Sequence, residues 1–127
     1  MSKISVIIAD DSTAVRDGLS CIIAAQPDME MVAAVGNGLE AVHLAGSLYP
    51  DIILMDADMP LMNGIEASIH ILLKTPVTRV ILLTTQYGRL EEAYKAGISS
   101  YVYKDCGRDE LLATIRNTVR QRDLAAD

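Results

Sequence analysis

Five short apolar runs alternating with five amphipathic stretches predict an α/β domain with a parallel sheet covered by helices on both faces. Two observations support this class. The apolar runs are only four to six residues long and almost unbroken, as in strands buried on both sides. The loops between runs and helical stretches are short, which suits strand–helix–strand units.

The first run, Ile4 to Ala9, reads as a buried strand that ends in Asp10-Asp11. Ser12 stands where a helix N-cap belongs, and Val15, Leu19, Ile22 and Ile23 follow at helical spacing until Pro27. Met29 to Val35 is a second strand, more polar at its start and therefore nearer an edge. Asn37-Gly-Leu-Glu40 has the form of a capping box, with Leu39, Val42, Leu48 and Tyr49 expected as the helix's buried face.

The central strand is Ile52 to Met55, which delivers Asp56 at its C-terminal end, followed by Asp58 and Pro60. Asn63-Gly-Ile-Glu66 repeats the capping box, with Ile65, Ile69, Leu72 and Leu73 expected on one face and Pro76 closing the helix. Arg79 to Leu83 is a fourth strand ending in Thr84-Thr85. A short helix over about Arg89 to Ala96 stops at Gly97, with a thin face of Leu90, Ala93 and Tyr94. Tyr101 to Tyr103 delivers Lys104. The last helix begins at Gly107 or Arg108, with Leu111, Leu112, Ile115 and Val119 inward and Arg116, Arg120 and Arg122 in its C-terminal half. The domain is expected to span residues 1–122, and 123–127 to be a tail or the start of a linker.

Right-handed crossovers leave few topologies for this alternation, and a flavodoxin-like (βα)5 three-layer sandwich of strand order 2-1-3-4-5 is the one expected. Strands one and three are then neighbours at the switch point, where ligands bind outside the carboxyl ends of the strands.

Composition narrows the function classes. A chain of 127 residues fits one domain, and half of it is apolar, which excludes disorder. The apolar runs are too short to cross a membrane. No charged-then-apolar leader precedes Ile4, so the cytoplasm is the expected compartment. A net charge of −6 with scattered Lys and Arg argues against direct nucleic acid binding and suits a divalent cation or a basic partner. Cys21 and Cys106 lack metal-type spacing and are expected as buried structural thiols. His43 and His70 are expected as surface or packing residues, and the methionines as core filler.

The strand ends carry the chemistry. Asp10-Asp11, Asp56, Thr84 and Lys104 would all converge on one rim of the sheet. Carboxylates packed together repel unless a cation intervenes, and Mg2+ is the expected one because it takes few carboxylates and bridges to phosphoryl oxygen. Lys104 supplies a point charge for a second phosphoryl oxygen, and the Thr84 hydroxyl can donate to a third. Asp56, after the most buried strand, is the candidate nucleophile that would become an aspartyl phosphate. An N-cap role is the plainer alternative for Asp10 and Asp11, but Ser12 already suits that task.

On IIADDS, MDADMPLMNGIEA, ILLTT and YVYKD, the chain resembles the receiver domains of two-component response regulators over essentially its whole length. The LTT and KD runs are similar to the NarL/FixJ (LuxR-type) subfamily, whose members usually carry a C-terminal helix-turn-helix. The resemblance implies that Asp56 is the phosphoacceptor, and that Asp10, Asp11, Asp56 and the Asp58 main-chain carbonyl bind Mg2+. It also implies that Lys104 binds the phosphoryl group and that Thr84 and Tyr101 form the switch pair. A sensor histidine kinase is the implied partner, a phosphorylation-promoted homodimer the implied output, and self-catalysed phosphoryl transfer the whole of the catalysis.

Three positions depart from the broad pattern. Asp105 stands where proline is common, which removes the usual basis for a cis peptide. Thr85 is bulkier than the usual small residue, and Asp58 adds a carboxylate two residues past the acceptor. Two rival functions are weighed. Asp56-Ala-Asp58 is similar to the DxD of haloacid-dehalogenase-type phosphatases, although that family carries it on the first strand. The other rival is a phosphorylation-independent interaction module.

Overall fold

The computed structural model describes residues 2–85, 89–98 and 100–126. Its elements alternate throughout: β1 (Ile4–Ala9), α1 (Thr13–Ala24), β2 (Met29–Val35), α2 (Gly38–Leu48), β3 (Ile52–Asp56), α3 (Gly64–Lys74), β4 (Arg79–Thr84), α4 (Arg89–Lys95), β5 (Ser100–Tyr103) and α5 (Arg108–Ala125). The five strands form one parallel sheet of order β2-β1-β3-β4-β5, the order expected from the alternation.

Alternation along each strand splits the core in two. Ile7, Ala9, Ile53, Met55, Val80 and Leu82 face α2, α3 and α4, while Val6, Ile8, Ile52, Leu54, Ile81 and Leu83 face α1 and α5. All five residues of β3 are buried, because this strand is central and covered on both faces. Met29 and Met55 are buried and Met31, Met59 and Met62 pack against the core, so these methionines do fill it. No helix among the described residues is long and apolar enough to cross a membrane.

The caps follow the sequence closely. Ser12, Asn37 and Asn63 each accept a hydrogen bond from the backbone N–H three residues on. The buried faces of α2 and α3 differ from expectation. Helix α2 buries Gly38, Ala41 and Ala45, and leaves Leu39, Leu48 and Tyr49 exposed. Helix α3 buries Ile65, Ala67, Ser68 and Ile71, while Ile69 and Leu73 face outward. The physical reason is close approach. Small residues let a helix approach its neighbours closely, as where a Cβ on Gly38 would lie 2.2 Å from the Met62 carbonyl oxygen, and the large residues flanking that stripe then point to its sides.

Three smaller corrections concern the ends and the thiols. Helix α5 runs to Ala125, so residues 123–125, expected in a tail or the start of a linker, are helical. Arg122 anchors this last stretch, bonding Asp51 Oδ1 at 2.9 Å and the Val77 carbonyl at 3.0 Å. Cys21 is exposed and Cys106 only partly buried. Cys21 lies on the side of α1 opposite the buried Ile23, two residues away. Burial, with the nearby Glu110 and Asp105 charges, pushes the Cys106 thiol upward.

Candidate functional site

The register of the sheet assembles the site. Ala9 of β1 lies opposite Met55 of β3, so Asp10 and Asp56 stand side by side one residue further on. Asp56 pairs with Leu83 of β4, and Thr84 pairs with Tyr103 of β5. Lys104 leaves β5 at the same rim and its N–H bonds the Thr84 carbonyl at 3.0 Å. Four strand ends therefore bring Asp10, Asp11, Asp56, Thr84 and Lys104 together, as expected.

Lys104 Nζ lies 2.9 Å from Asp10 Oδ2 and 3.1 Å from Asp56 Oδ1. Asp10 is wholly buried, Asp56 is 4 % exposed, and Asp11 is exposed. Burial raises the Asp56 carboxyl above its usual range, and the Asp10 charge adds to this. The Asp58 N–H and Lys104 oppose that shift without cancelling it. For Lys104 the balance is reversed: burial would lower its ammonium, but Asp10 and Asp56 outweigh it and hold it above the usual lysine range.

Each loop is braced. Asp10 Oδ1 accepts the Ser12 N–H at 2.9 Å, and Asp56 Oδ1 accepts the Asp58 N–H at 3.2 Å. Arg16 Nη1 donates to the Asp10 carbonyl at 2.7 Å, which ties the acidic loop to α1. Sequence reasoning missed Arg16. A cation one turn inside the helix that follows the acid pair is the signal that could have found it.

Asp10, Asp11 and Asp56 place carboxylate oxygens within 4.8 Å of one another. Among the described residues, Asp10 Oδ2 is buried with no hydrogen-bond donor of good geometry, only the Lys104 charge. Three convergent oxygens, one of them so poorly satisfied, fit a hard divalent cation such as Mg2+. The Asp58 side chain is not in this cluster. Its Oδ1 pairs with Arg89 Nη1 at 2.5 Å, outside the acids.

Tyr101 is 46 % exposed, with its ring edge-on to Tyr103 at 5.6 Å between centroids, while Thr84 is buried. The two switch candidates thus lie on adjacent strands, one inside and one outside. No described peptide bond is cis, including the one after Lys104. Arg89 was also missed from sequence. Its signal is a basic residue at a helix N-terminus, where the dipole disfavours it unless an acid elsewhere holds it.

A family profile described as response regulator receiver domain matches residues 6–116. The transcriptional regulatory protein YxjL of Bacillus subtilis (strain 168) is 39 % identical over 122 residues, covering 93 % of this chain and 55 % of YxjL. The response regulator domain of Thermotoga maritima CheB superposes with a TM-score of 0.86 at 38 % identity, over 93 % of this chain and 97 % of that one. A LuxR-family DNA-binding response regulator from Staphylococcus aureus gives 0.85 at 32 % identity, over 91 % and 98 %. The chain spans about half the length of curated relatives that it matches. With its flavodoxin-like sheet and its acid cluster at the switch point, this chain belongs to the response regulator receiver domain family.

Proposed function

We propose that the chain accepts a phosphoryl group on Asp56 from a phosphohistidine of a sensor kinase. The carrying observation is Lys104 bridging the buried Asp10 and Asp56 at 2.9 and 3.1 Å. A carboxylate oxygen of Asp56 attacks phosphorus, the P–N bond to the donor imidazole breaks, and that nitrogen keeps the electron pair. Hydrolysis later returns Asp56 and inorganic phosphate, so the chain acts only on itself.

Asp10, Asp11, Asp56 and the Asp58 main-chain carbonyl would hold Mg2+. Once bound, the ion supplies charge neutralisation for the phosphoryl oxygens. Lys104 orients a second oxygen, and Thr84 offers its hydroxyl to the third. Thr84 and Tyr101 then act as the switch pair. The donor protein docks at an apolar cleft of about 270 Å3 beside Lys104, lined by Val15, Leu19 and Leu111 among others. The phosphorylated form dimerises in the cytoplasm and controls transcription through a helix-turn-helix in the remainder of a longer protein. This output is supported by relatives named as transcriptional regulatory proteins, of which the chain matches about half.

The DxD phosphatase alternative requires the Asp58 carboxylate at the reacting group, and its pairing with Arg89 argues against it. The interaction-module alternative has no feature in its favour, since no acid of the site is missing. Intact-mass measurement with acetyl phosphate and Mg2+ tests the proposal. One phosphoryl group should be added to wild type and none to Asp56→Asn; a group that persists in the variant overturns the assignment.

A further inference from the structure

Among the described residues, an ion pair ties helix α4 to the phosphorylation site. Arg89 opens the helix, and its Nη1 lies 2.5 Å from Asp58 Oδ1 while its Nε donates to Glu92 Oε2 at 3.1 Å. The Arg89 side chain is only 20 % exposed, against 65 % for Asp58. The other ion pairs of α4 among the described residues, Arg89–Glu92 and Lys95–Glu91, lie within the helix. Ala93 is its one buried residue. The pair to Asp58 therefore carries much of what fixes the start of α4 against the rest of the domain.

Asp58 is also bonded to the phosphoacceptor. Its N–H donates to Asp56 Oδ1 at 3.2 Å, so Asp56, Asp58 and Arg89 form a continuous chain into α4. Along the backbone, Arg89 follows Thr84 by five residues. A new phosphoryl anion on Asp56 also draws on the Asp58 N–H and on any cation in reach.

We propose that the Asp58–Arg89 ion pair is a latch that holds α4 in its unphosphorylated position and that opens when Asp56 is phosphorylated. The proposal rests on the phosphoacceptor reading of Asp56 and adds its regulation. Arg89 is a positioning residue, acting on the switch through α4. Because the latch favours the unphosphorylated arrangement, breaking it shifts the equilibrium toward the other one and strengthens binding of a phosphoryl mimic by the same factor. For a pair with one partner exposed that factor is about two- to fivefold.

The test uses Asp58→Asn, Arg89→Gln, the double variant and Arg89→Lys, with two readouts. The first is amide hydrogen exchange of α4 in unmodified protein, which does not depend on phosphorylation. Exchange should quicken in Asp58→Asn and at least as much in Arg89→Gln, which also loses its bond to Glu92, quicken no further in the double variant than in Arg89→Gln, and return toward wild type in Arg89→Lys. The second is calorimetric affinity for beryllofluoride with Mg2+. Arg89→Gln should bind about two- to fivefold more tightly than wild type, and should give no such gain in an Asp58→Asn background. Unchanged α4 exchange, or equal gains with and without Asp58, overturns the latch. Wild type that binds no beryllofluoride overturns the underlying reading instead, whatever α4 does.

Discussion

A Cβ placed on Gly64 would stand 1.8 Å from the carbonyl oxygen of Asp56. The N-terminus of α3 is thus pressed against the end of β3, and the Gly64 N–H bonds the Ala57 carbonyl at 3.0 Å. The nearest opposing atoms are backbone and cannot give way, and the Met55 side chain also lies within 2.8 Å. Gly64→Ala should therefore destabilise the fold by about 2 kcal/mol or more and displace Asp56. Gly18, in α1 with open space around its Cβ position, is the control. Gly18→Ala should be stabilising by up to about 1 kcal/mol. Urea denaturation of both variants checks the pair.

Lys104 neutralises two buried carboxylates at once. Lys104→Met would leave both charges uncompensated, at a cost of about 3 kcal/mol; partial solvation of the lysine keeps it near the low end of the range for buried pairs. Asp10→Asn in the same chain should recover part of the loss. Thermal melts of the single and double variants decide this, and equal melting temperatures would remove Lys104 from the electrostatics of the site.

The raised Asp56 carboxyl carries a pH signature. Between the ordinary value of 3.8 and its higher folded value, the native state holds more proton than the unfolded chain, so stability falls as pH rises through that window. At neutral pH the ionised Asp56 is a net cost. Asp56→Asn should then be more stable than wild type at about pH 7, with the gap closing toward about pH 4 and below. The Lys104 contribution works in the other window: it is fully present below the ordinary lysine value of 10.5 and is lost as pH rises through the higher folded one. Denaturation midpoints of both proteins across that range check the sign.

Much of this architecture was legible from residues alone, for reasons that are local. Strand ends were readable because β1, β3 and β4 are apolar runs that stop at Asp or Thr. The helix starts were readable because Ser12, Asn37 and Asn63 are caps. Helix faces were less so. In α2 the buried stripe is Gly38, Ala41 and Ala45, and small side chains leave a weak hydrophobic signal although they are the ones buried. The length of α5 depends on the Arg122–Asp51 pair, which joins residues 71 apart. The Asp58–Arg89 pair, 31 apart, was hidden in the same way. Local patterns report caps and burial, whereas ion pairs between loops require the fold first.

Asp11 is the member of the acid cluster that projects into solvent. Its loss should leave the apo fold intact, which makes it the cleanest probe of the cation. Mg2+ should raise the melting temperature of wild type, equivalent to about 2.7 kcal/mol when its concentration is a hundredfold above the dissociation constant. Asp11→Asn should respond weakly while melting at or slightly above the wild-type temperature without metal, because one repelling charge is gone. Equal responses of the two proteins to Mg2+ would move the metal elsewhere.

Tyr101 is half exposed beside the buried Thr84 strand, and its turning inward would reshape the surface formed by α4, β5 and α5. If the Thr84 hydroxyl moves to a phosphoryl oxygen on Asp56, space opens beside β5 for that ring. A two-state equilibrium biased by about 1–3 kcal/mol is the usual scale for such coupling, so some dimer is expected even before phosphorylation. Sedimentation velocity with and without beryllofluoride and Mg2+ reads the output. Wild type should shift toward dimer, and Thr84→Ala should shift weakly because the hydroxyl that reports the phosphoryl group is missing. Tyr101→Ala separates the two halves of the switch: it should keep beryllofluoride affinity near wild type while losing the shift in dimerisation. Equal sedimentation of all three proteins on adding the mimic would take dimerisation out of the output, and an equal shift in all three would take Thr84 and Tyr101 out of the switch.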